Sequence, residues 1–329
     1  MRVLWNSVCN GGRVLSKLPA NHLQMNRNQG TENFMATKQA PQDPKEAHPQ
    51  PKFPEQKQKF PGKEEKMRPK ADHGEESYVG SGKLKDMKTI ITGADSGIGR
   101  AVALAFEREC ADVLISYYNE DDDAAETARL VEEAGRKGVR LGGDIGSEEH
   151  CKRIVQQAVD EFGDIDILVN NAAFQMPHHK LEEFTSEQFE HTYRVNLFSM
   201  FYLAKAAAPH MKEGSCIINT ASIQAYDPSP ELLDYASTKG AIVNFTKGLA
   251  KLLIKQGIRV NAVAPGPVWT PLIPMSFDEE KTSEFGKNTP IGRSAQPAEL
   301  APIYVLLASP EATYISGEVY AATGGKTPF

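Results

Sequence analysis

Tyr235-Ala-Ser-Thr-Lys239 sets a phenol and an ammonium four residues apart. On a helix, positions i and i+4 share a face, so both groups could point into one site. A nearby ammonium favours phenolate and lowers a tyrosine pKa. A tyrosine tuned towards neutrality can then move protons as a general acid–base. The spacing by itself also fits an ordinary pair on a helix surface. Ser222 stands 13 residues before Tyr235, just after the apolar run 216–219, where its hydroxyl could hydrogen-bond a substrate oxygen. Further upstream lies Thr92-Gly93-Ala94-Asp95-Ser96-Gly97-Ile98-Gly99. Glycines at 93, 97 and 99 permit a tight turn and close backbone approach. They aim a helix N-terminus at a phosphate, where free N–H groups and the helix dipole favour negative charge. Glycine loops often serve only as turns; a position between a first strand and a first helix favours dinucleotide binding.

These residues need a scaffold, and the pattern supplies one. Short apolar runs at 88–92, 113–116, 139–142, 165–170, 216–219, 258–263 and 318–322 predict strands. Amphipathic stretches predict helices at 98–109, 121–137, from Ser147 to 162, from Thr185 to about 211, 232–256 and 298–307. Ser147 is a suitable cap, Thr185-x-x-Gln188 matches a capping box, and Gly257 ends a helix. Strands alternating with helices predict a Rossmann-type α/β fold, with a doubly wound, parallel, seven-stranded sheet.

The chain has 329 residues, 37 Lys+Arg against 43 Asp+Glu, 40% hydrophobic residues and four cysteines. A net charge of −6 leaves no electrostatic footprint for nucleic acid. The longest apolar runs fall far short of the roughly 18 residues that span a bilayer, so no membrane partner is expected. Cys9, Cys110, Cys151 and Cys216 show neither CxxC pairing nor metal spacing, so they are expected to be reduced and no metal is expected.

The averages conceal a split near residue 78, between an arm (1–78) and a catalytic domain (79–329). The arm carries 13 basic and 9 acidic groups, the remainder 24 and 34. Seven of the 21 prolines fall between residues 40 and 70. The only large apolar residues over 36–76 are Phe53, Phe60 and Met67. So little apolar surface does not offset ordering entropy, which predicts a disordered leader. The other reading is an extended strap over the same or a neighbouring subunit. Arg2, Arg13, Lys17 and Arg27, with no acid in the first 31 residues, resemble an organellar transit peptide over 1–34. A translation start at Met35 is the favoured account, which leaves the protein in the cytoplasm.

From about residue 83 to 325 the chain resembles the short-chain dehydrogenase/reductase family. The family's TGxxxGIG loop is Thr92–Gly99, its NNAG is Asn170-Asn171-Ala172-Ala173, and its YxxxK is Tyr235 to Lys239. Its catalytic asparagine and serine match Asn196 and Ser222, its PG motif is Pro265-Gly266, and its terminal GG is Gly324-Gly325. Tyr78-Val-Gly-Ser-Gly82, Ser222-Ile-Gln-Ala-Tyr226 and the arm are similar to a bacterial subgroup of general-stress proteins and aldehyde reductases, and to plant glucose/ribitol-dehydrogenase-like proteins.

The resemblance implies hydride transfer between nicotinamide and a small aldehyde, sugar or polyol. Tyr235 would be the acid–base and Ser222 the group holding the substrate oxygen. Lys239 would bind the nicotinamide ribose and lower the pKa of Tyr235. Asn196 would hold a relay water. Cofactor contacts would come from Gly93, Asp95, Ser96, Gly97, Ile98, Gly99, Tyr118, Asp144, Ile145, Asn171, Tyr235, Lys239, Pro265, Gly266 and Val268. A homotetramer is implied as well.

Two departures from the family pattern stand out. NNAG ends in Ala173, and Cys110 replaces a helix-ending glycine, at a cost if φ there is positive. Tyr117 and Tyr118 occupy the end of the second strand, where NAD-users carry an acid. Ser96 stands where many NADP-users carry arginine, while Arg100 sits on the helix and Asp95 could repel a phosphate or bind a ribose hydroxyl. The cofactor is therefore NADP(H) or NAD(H), with the subgroup tilting towards NADP(H). Phe174, Gln175, Gln224, Trp269 and 270–285 fall where the family builds its substrate pocket, the last as a lid. His178-His179 lack i, i+4 metal geometry, and Asp121-Asp122-Asp123 suits a first helical turn. The competing readings are a non-catalytic dinucleotide-binding stress or scaffold protein, and an isomerase or dehydratase on the same fold.

Overall fold

The computed structural model describes Cys9 and residues 42–326. The transit-peptide and Met35 readings fall outside the described residues. Seven strands, β1 (Lys88–Thr92), β2 (Asp112–Tyr117), β3 (Gly138–Gly142), β4 (Ile167–Asn170), β5 (Cys216–Thr220), β6 (Arg259–Pro265) and β7 (Val319–Ala322), form one sheet. Their order is β3-β2-β1-β4-β5-β6-β7, and every pairing is parallel. Central strands in such a sheet are covered on both faces, which is why they read as continuous apolar runs. Successive side chains point to opposite sides: Ile91 packs with the layer of Val102 and Phe106, and Ile90 with that of Ile154 and Leu203.

The helices are α1 (Gly97–Arg108), α2 (Asp121–Glu133), α3 (Glu148–Phe162), α4 (Ser186–Tyr193), α5 (Ser199–Ala207), α6 (Leu233–Leu253), α7 (Leu272–Ser276), α8 (Glu279–Ser283) and α9 (Pro297–Ala308). The Ser147 hydroxyl caps α3 by accepting from His150 N, and Gly257 closes the tail after α6 at φ 72°. The Thr185 box is half made. Its hydroxyl accepts from Gln188 N at 3.1 Å, but the Gln188 amide turns to Met176 O and Asp234.

The single long helix expected from Thr185 to about 211 is instead α4, a π turn (Arg194–Phe198), α5 and a short 3-10 turn (Ala208–His210). One extra residue in the turn rotates Asn196 inwards. There its amide bonds both backbone groups of Phe174, and beside it Ser199 Oγ donates back to Val195 O.

Over residues 42–78 the arm follows the strap reading and not that of a disordered leader. Residues 42–78 lie along the body, with Met67 fully buried and Phe53 nearly so. Phe53 packs on Trp269 with ring centroids 4.2 Å apart. Main-chain bonds add to this: Phe53 N to Ser283 O, Gln58 N to Pro274 O, and Ala298 N to Asp72 O. Prolines already restrict the unfolded chain, so ordering this segment costs less than its sparse apolar content suggests. A further correction concerns cysteine. Cys9 and Cys110 form a disulfide with Cα atoms 5.5 Å apart, across 101 residues that conceal the pairing from any local motif. Cys110 does hold a positive φ of 72°.

A buried charge pair holds the arm. His73 Nε2 lies 3.2 Å from Glu64 Oε2 and His73 Nδ1 3.1 Å from Glu75 Oε1. Burial opposes the charge on His73, but these two carboxylates outweigh it and raise its pKa to about 9. Burial likewise opposes charge on Glu64, and His73 with the Gly97 N–H wins and lowers its pKa. A raised histidine contributes stability that is fully present below its unfolded value near 6.5 and lost as pH climbs through about 9. Protease cleavage within the arm should therefore accelerate between about pH 7 and pH 10 in the native protein, and His73→Gln should flatten that rise. Met67→Ala should destabilise by about 2–4 kcal/mol in denaturant unfolding, as for a core methionine; an arm detached in solution would show no loss.

Candidate active site

The glycine loop joins β1 to α1 at the point where strand order reverses between β1 and β4. Clefts at the carboxyl ends of strands on either side of such a switch bind ligands. Gly93 and Gly97 hold φ 64° and 49°, which disfavour side chains. A Cβ on Gly99 would overlap the carbonyl of Gly93, so that glycine lets α1 approach the loop. Thr92 does work that its place at the motif's edge does not announce. Its hydroxyl accepts from Asn171 N at 3.0 Å and Ala172 N at 3.1 Å. Asn171 Nδ2 returns bonds to Thr92 O and Gly93 O. The ends of β1 and β4 are stitched together, and a cleft of about 340 Å³ opens above them.

Ser222, Tyr235 and Lys239 meet in this cleft. Tyr235 and Lys239 sit in the first two turns of α6, so the helical spacing does place them together. The Lys239 ammonium lies 5.2 Å from the centre of the Tyr235 ring and donates to Thr220 O at 2.8 Å. Burial pushes Lys239 down to about 7 and Tyr235 up to about 12, with a Ser222 hydrogen bond pulling the phenol back. Desolvation thus outweighs the mutual attraction that was expected to lower the tyrosine. Tyr235 is therefore held as the neutral phenol, while Lys239 sits near its midpoint at neutral pH and gains charge readily when something in the cleft stabilises it.

Asn196 is fully buried and does not line the cleft. Its Oδ1 accepts from Phe174 N at 2.7 Å, and its Nδ2 donates to Phe174 O at 2.9 Å and Thr238 Oγ1 at 3.2 Å. Thr238 Oγ1 in turn donates to Tyr235 O. This chain ties the Phe174 wall to the α6 turn that carries Tyr235. Gly99 also stands behind the wall. The other expected cofactor residues, Gly93, Asp95, Ser96, Gly97, Ile98, Tyr118, Asp144, Ile145, Asn171, Pro265, Gly266 and Val268, all line the cleft.

At the β2 end, Tyr118 is half exposed, and Asp95 and Glu120 are buried beside it. Burial raises Asp95 to about 6, and burial with the Asp95 charge raises Glu120 to about 7. Arg100 turns away from the cleft and spends its guanidinium on Asp95 O, Thr127 and Asp123. At the other end Phe174, Gln175, Gln224, Met275, Phe277 and Phe285 form the wall, and Gln175 reaches Ser276 Oγ of α7 at 3.0 Å. Trp269 is not in that wall: it is fully buried, and its Nε1 donates to Pro69 O of the arm. His178 bonds Gln188 at 2.6 Å. Three residues that motif reading missed also line the cleft, namely Phe60, Pro61 and Gly62 of the arm. Their signal was one aromatic residue beside a Pro-Gly turn, too weak to assign.

A buried ammonium with donors to spare, beside a loop that side chains would fill, suits the ribose hydroxyls and phosphates of a dinucleotide. A family model described as enoyl-(acyl carrier protein) reductase matches residues 93–327. General stress protein 39 of Bacillus subtilis is 50% identical over 79% of this chain and 91% of its own length. The chloroplastic NADPH-dependent aldehyde reductase 1 of Arabidopsis thaliana is 47% identical, over 79% of this chain and 92% of its own. Among solved structures, L-sorbose reductase from Gluconobacter frateurii, complexed with NADPH and L-sorbose, superposes with a TM-score of 0.68 at 34% identity, covering 74% of this chain and 98% of that one. With the sheet order, the glycine loop and the Ser222, Tyr235 and Lys239 cluster already in place, this chain belongs to the short-chain dehydrogenase/reductase family of oxidoreductases.

Proposed function

We propose that the protein is an NAD(P)-dependent oxidoreductase that reduces small aldehydes or sugars and, in the reverse direction, oxidises the corresponding alcohols or polyols. The observation that carries this reading is the convergence of Ser222, Tyr235 and Lys239 on one cleft beside the glycine loop. A scaffold needs no buried, unpaired ammonium beside a buried phenol. A nicotinamide dinucleotide bound there supplies or accepts the hydride.

The chain's own groups handle the oxygen and its proton. In reduction, the Ser222 hydroxyl donates a hydrogen bond to the carbonyl oxygen and fixes it beside the Tyr235 phenol. As negative charge grows on that oxygen, Tyr235 delivers its proton there. The resulting phenolate is stabilised by Lys239, whose charge becomes favourable once an anion forms beside it. Thr220 O holds the ammonium in place. Asn196 acts one step back, by fixing Phe174 and the Tyr235 turn. The apolar side chains of Phe174, Met275, Phe277 and Phe285 exclude water and favour aldehydes over more polar sugars. The names of the relatives favour NADP(H) over NAD(H). A cytoplasmic homotetramer belongs to the same reading, and gel filtration that gave a clean monomer would remove the oligomer from it.

Two outcomes follow. Tyr235→Phe should keep dinucleotide affinity within about twofold while turnover drops by at least 10²-fold, the scale of a lost acid–base; retained turnover would move the acid–base elsewhere. A panel of aldehydes and polyols with NADH and NADPH in parallel, followed by nicotinamide absorbance, should show net oxidation of at least one reduced cofactor. Substrate conversion without absorbance change would instead favour an isomerase or dehydratase.

A further inference from the structure

Nothing in the family's glycine loop or catalytic motifs accounts for how the arm crosses the cleft. Phe60 lies over its mouth, its ring centroid 5.9 Å from that of Tyr118 at one end and 5.5 Å from that of Phe174 at the other. Its outer face stays in solvent. Two residues on, Gly62 passes so close to the lid that a Cβ would overlap Pro271 O. Gln58 N and Phe53 N donate to Pro274 O within α7 and Ser283 O at the end of α8, so arm and lid are zipped together at both short helices.

The second attachment is to the cofactor loop itself. Ser96 is the N-cap of α1 but makes no capping bond with its side chain. Glu64 supplies that acceptor from the arm: its Oε2 accepts from Gly97 N at 3.0 Å, and its own N–H donates to Asp123 Oδ2 at 2.9 Å. His73 neutralises the buried carboxylate at 3.2 Å. An acid at a helix N-terminus stabilises both the free N–H groups and the dipole. Here the acid belongs to another segment, so this cap on α1 is present only while the arm is down.

Building on the dinucleotide reading above, we propose that the arm completes the dinucleotide site, with Phe60 as a roof contact and Glu64 as a positioning residue for the glycine loop. Bound dinucleotide then leaves after the arm lifts. Gln58, Gly62 and Phe53 couple that lift to the lid, so release of cofactor and opening of the substrate pocket are one motion.

The test is stopped-flow fluorescence of NADH and of NADPH dissociating from the full chain, in unaltered protein and in Phe60→Ala, Glu64→Ala and Glu64→Gln. Phe60→Ala and Glu64→Ala should release dinucleotide roughly tenfold faster, the scale of one aromatic contact or one cap, with dinucleotide KM rising alongside. Glu64→Gln keeps an oxygen for Gly97 N and should fall between Glu64→Ala and the unaltered protein; a merely structural loss would show no such partial rescue. Should Glu64→Ala fail to fold, Phe60→Ala decides alone, because its ring is half in solvent. Dissociation within twofold of the unaltered protein in Phe60→Ala overturns the proposal while leaving the oxidoreductase reading intact. Absence of binding by either dinucleotide to the unaltered chain overturns both.

Discussion

A lysine ammonium is buried at the end of β5 with one backbone hydrogen bond and, among the described residues, no ion pair. Taking such a group out of water costs several kcal/mol unless charge or hydrogen bonding compensates. The surrounding architecture answers that constraint. β5 delivers Thr220 O as the one fixed acceptor, and α6 is long and well packed enough to hold Tyr235 and Lys239 on a rigid face. The pKa of the lysine falls to about 7, so the site tolerates it in the neutral form. Under the proposed function, ligand hydroxyls and a transient phenolate would restore its charge, which would make binding and proton transfer interdependent.

The opposite end of the cleft follows the same logic with the sign reversed. Asp95 and Glu120 are buried beside Tyr118, and burial raises both, with the Asp95 charge adding to the shift of Glu120; Arg100 at Asp95 and Lys63 at Glu120 only partly oppose it. Near pH 7 Glu120 is partly protonated, and in that form it can donate a hydrogen bond as well as accept one. Acidity at this end is therefore compatible with either a ribose hydroxyl or a phosphate.

Much of the scaffold was legible because its signals are local. β1 falls on the residues expected for it, Ser147 and Gly257 bound their elements, and the helical spacing of Tyr235 and Lys239 brings them together. What escaped was non-local. The π turn around Asn196 accompanies bonds from its side chain to the distant backbone of Phe174, while the sequence of that stretch reads as uninterrupted helix. Trp269 fell between pocket and core because its partner is 200 residues away in the arm. The Cys9–Cys110 bridge left no spacing to find.

The arm shows why composition misleads most at its margins. Three large apolar residues in 41 looked too few to fold, and as an independent unit they are. The relevant comparison is the entropy of a proline-stiffened strand against surfaces that the body already presents. Phe53 and Met67 fill the cluster that also holds Tyr235, Trp269 and Phe277, and each backbone bond to the lid replaces water on both sides. Removing the arm would uncover not a patch of surface but the packing beneath Tyr235. A segment that is marginal on its own can thus be well ordered where it lands, because the surface it covers already offers the packing and backbone partners it lacks by itself.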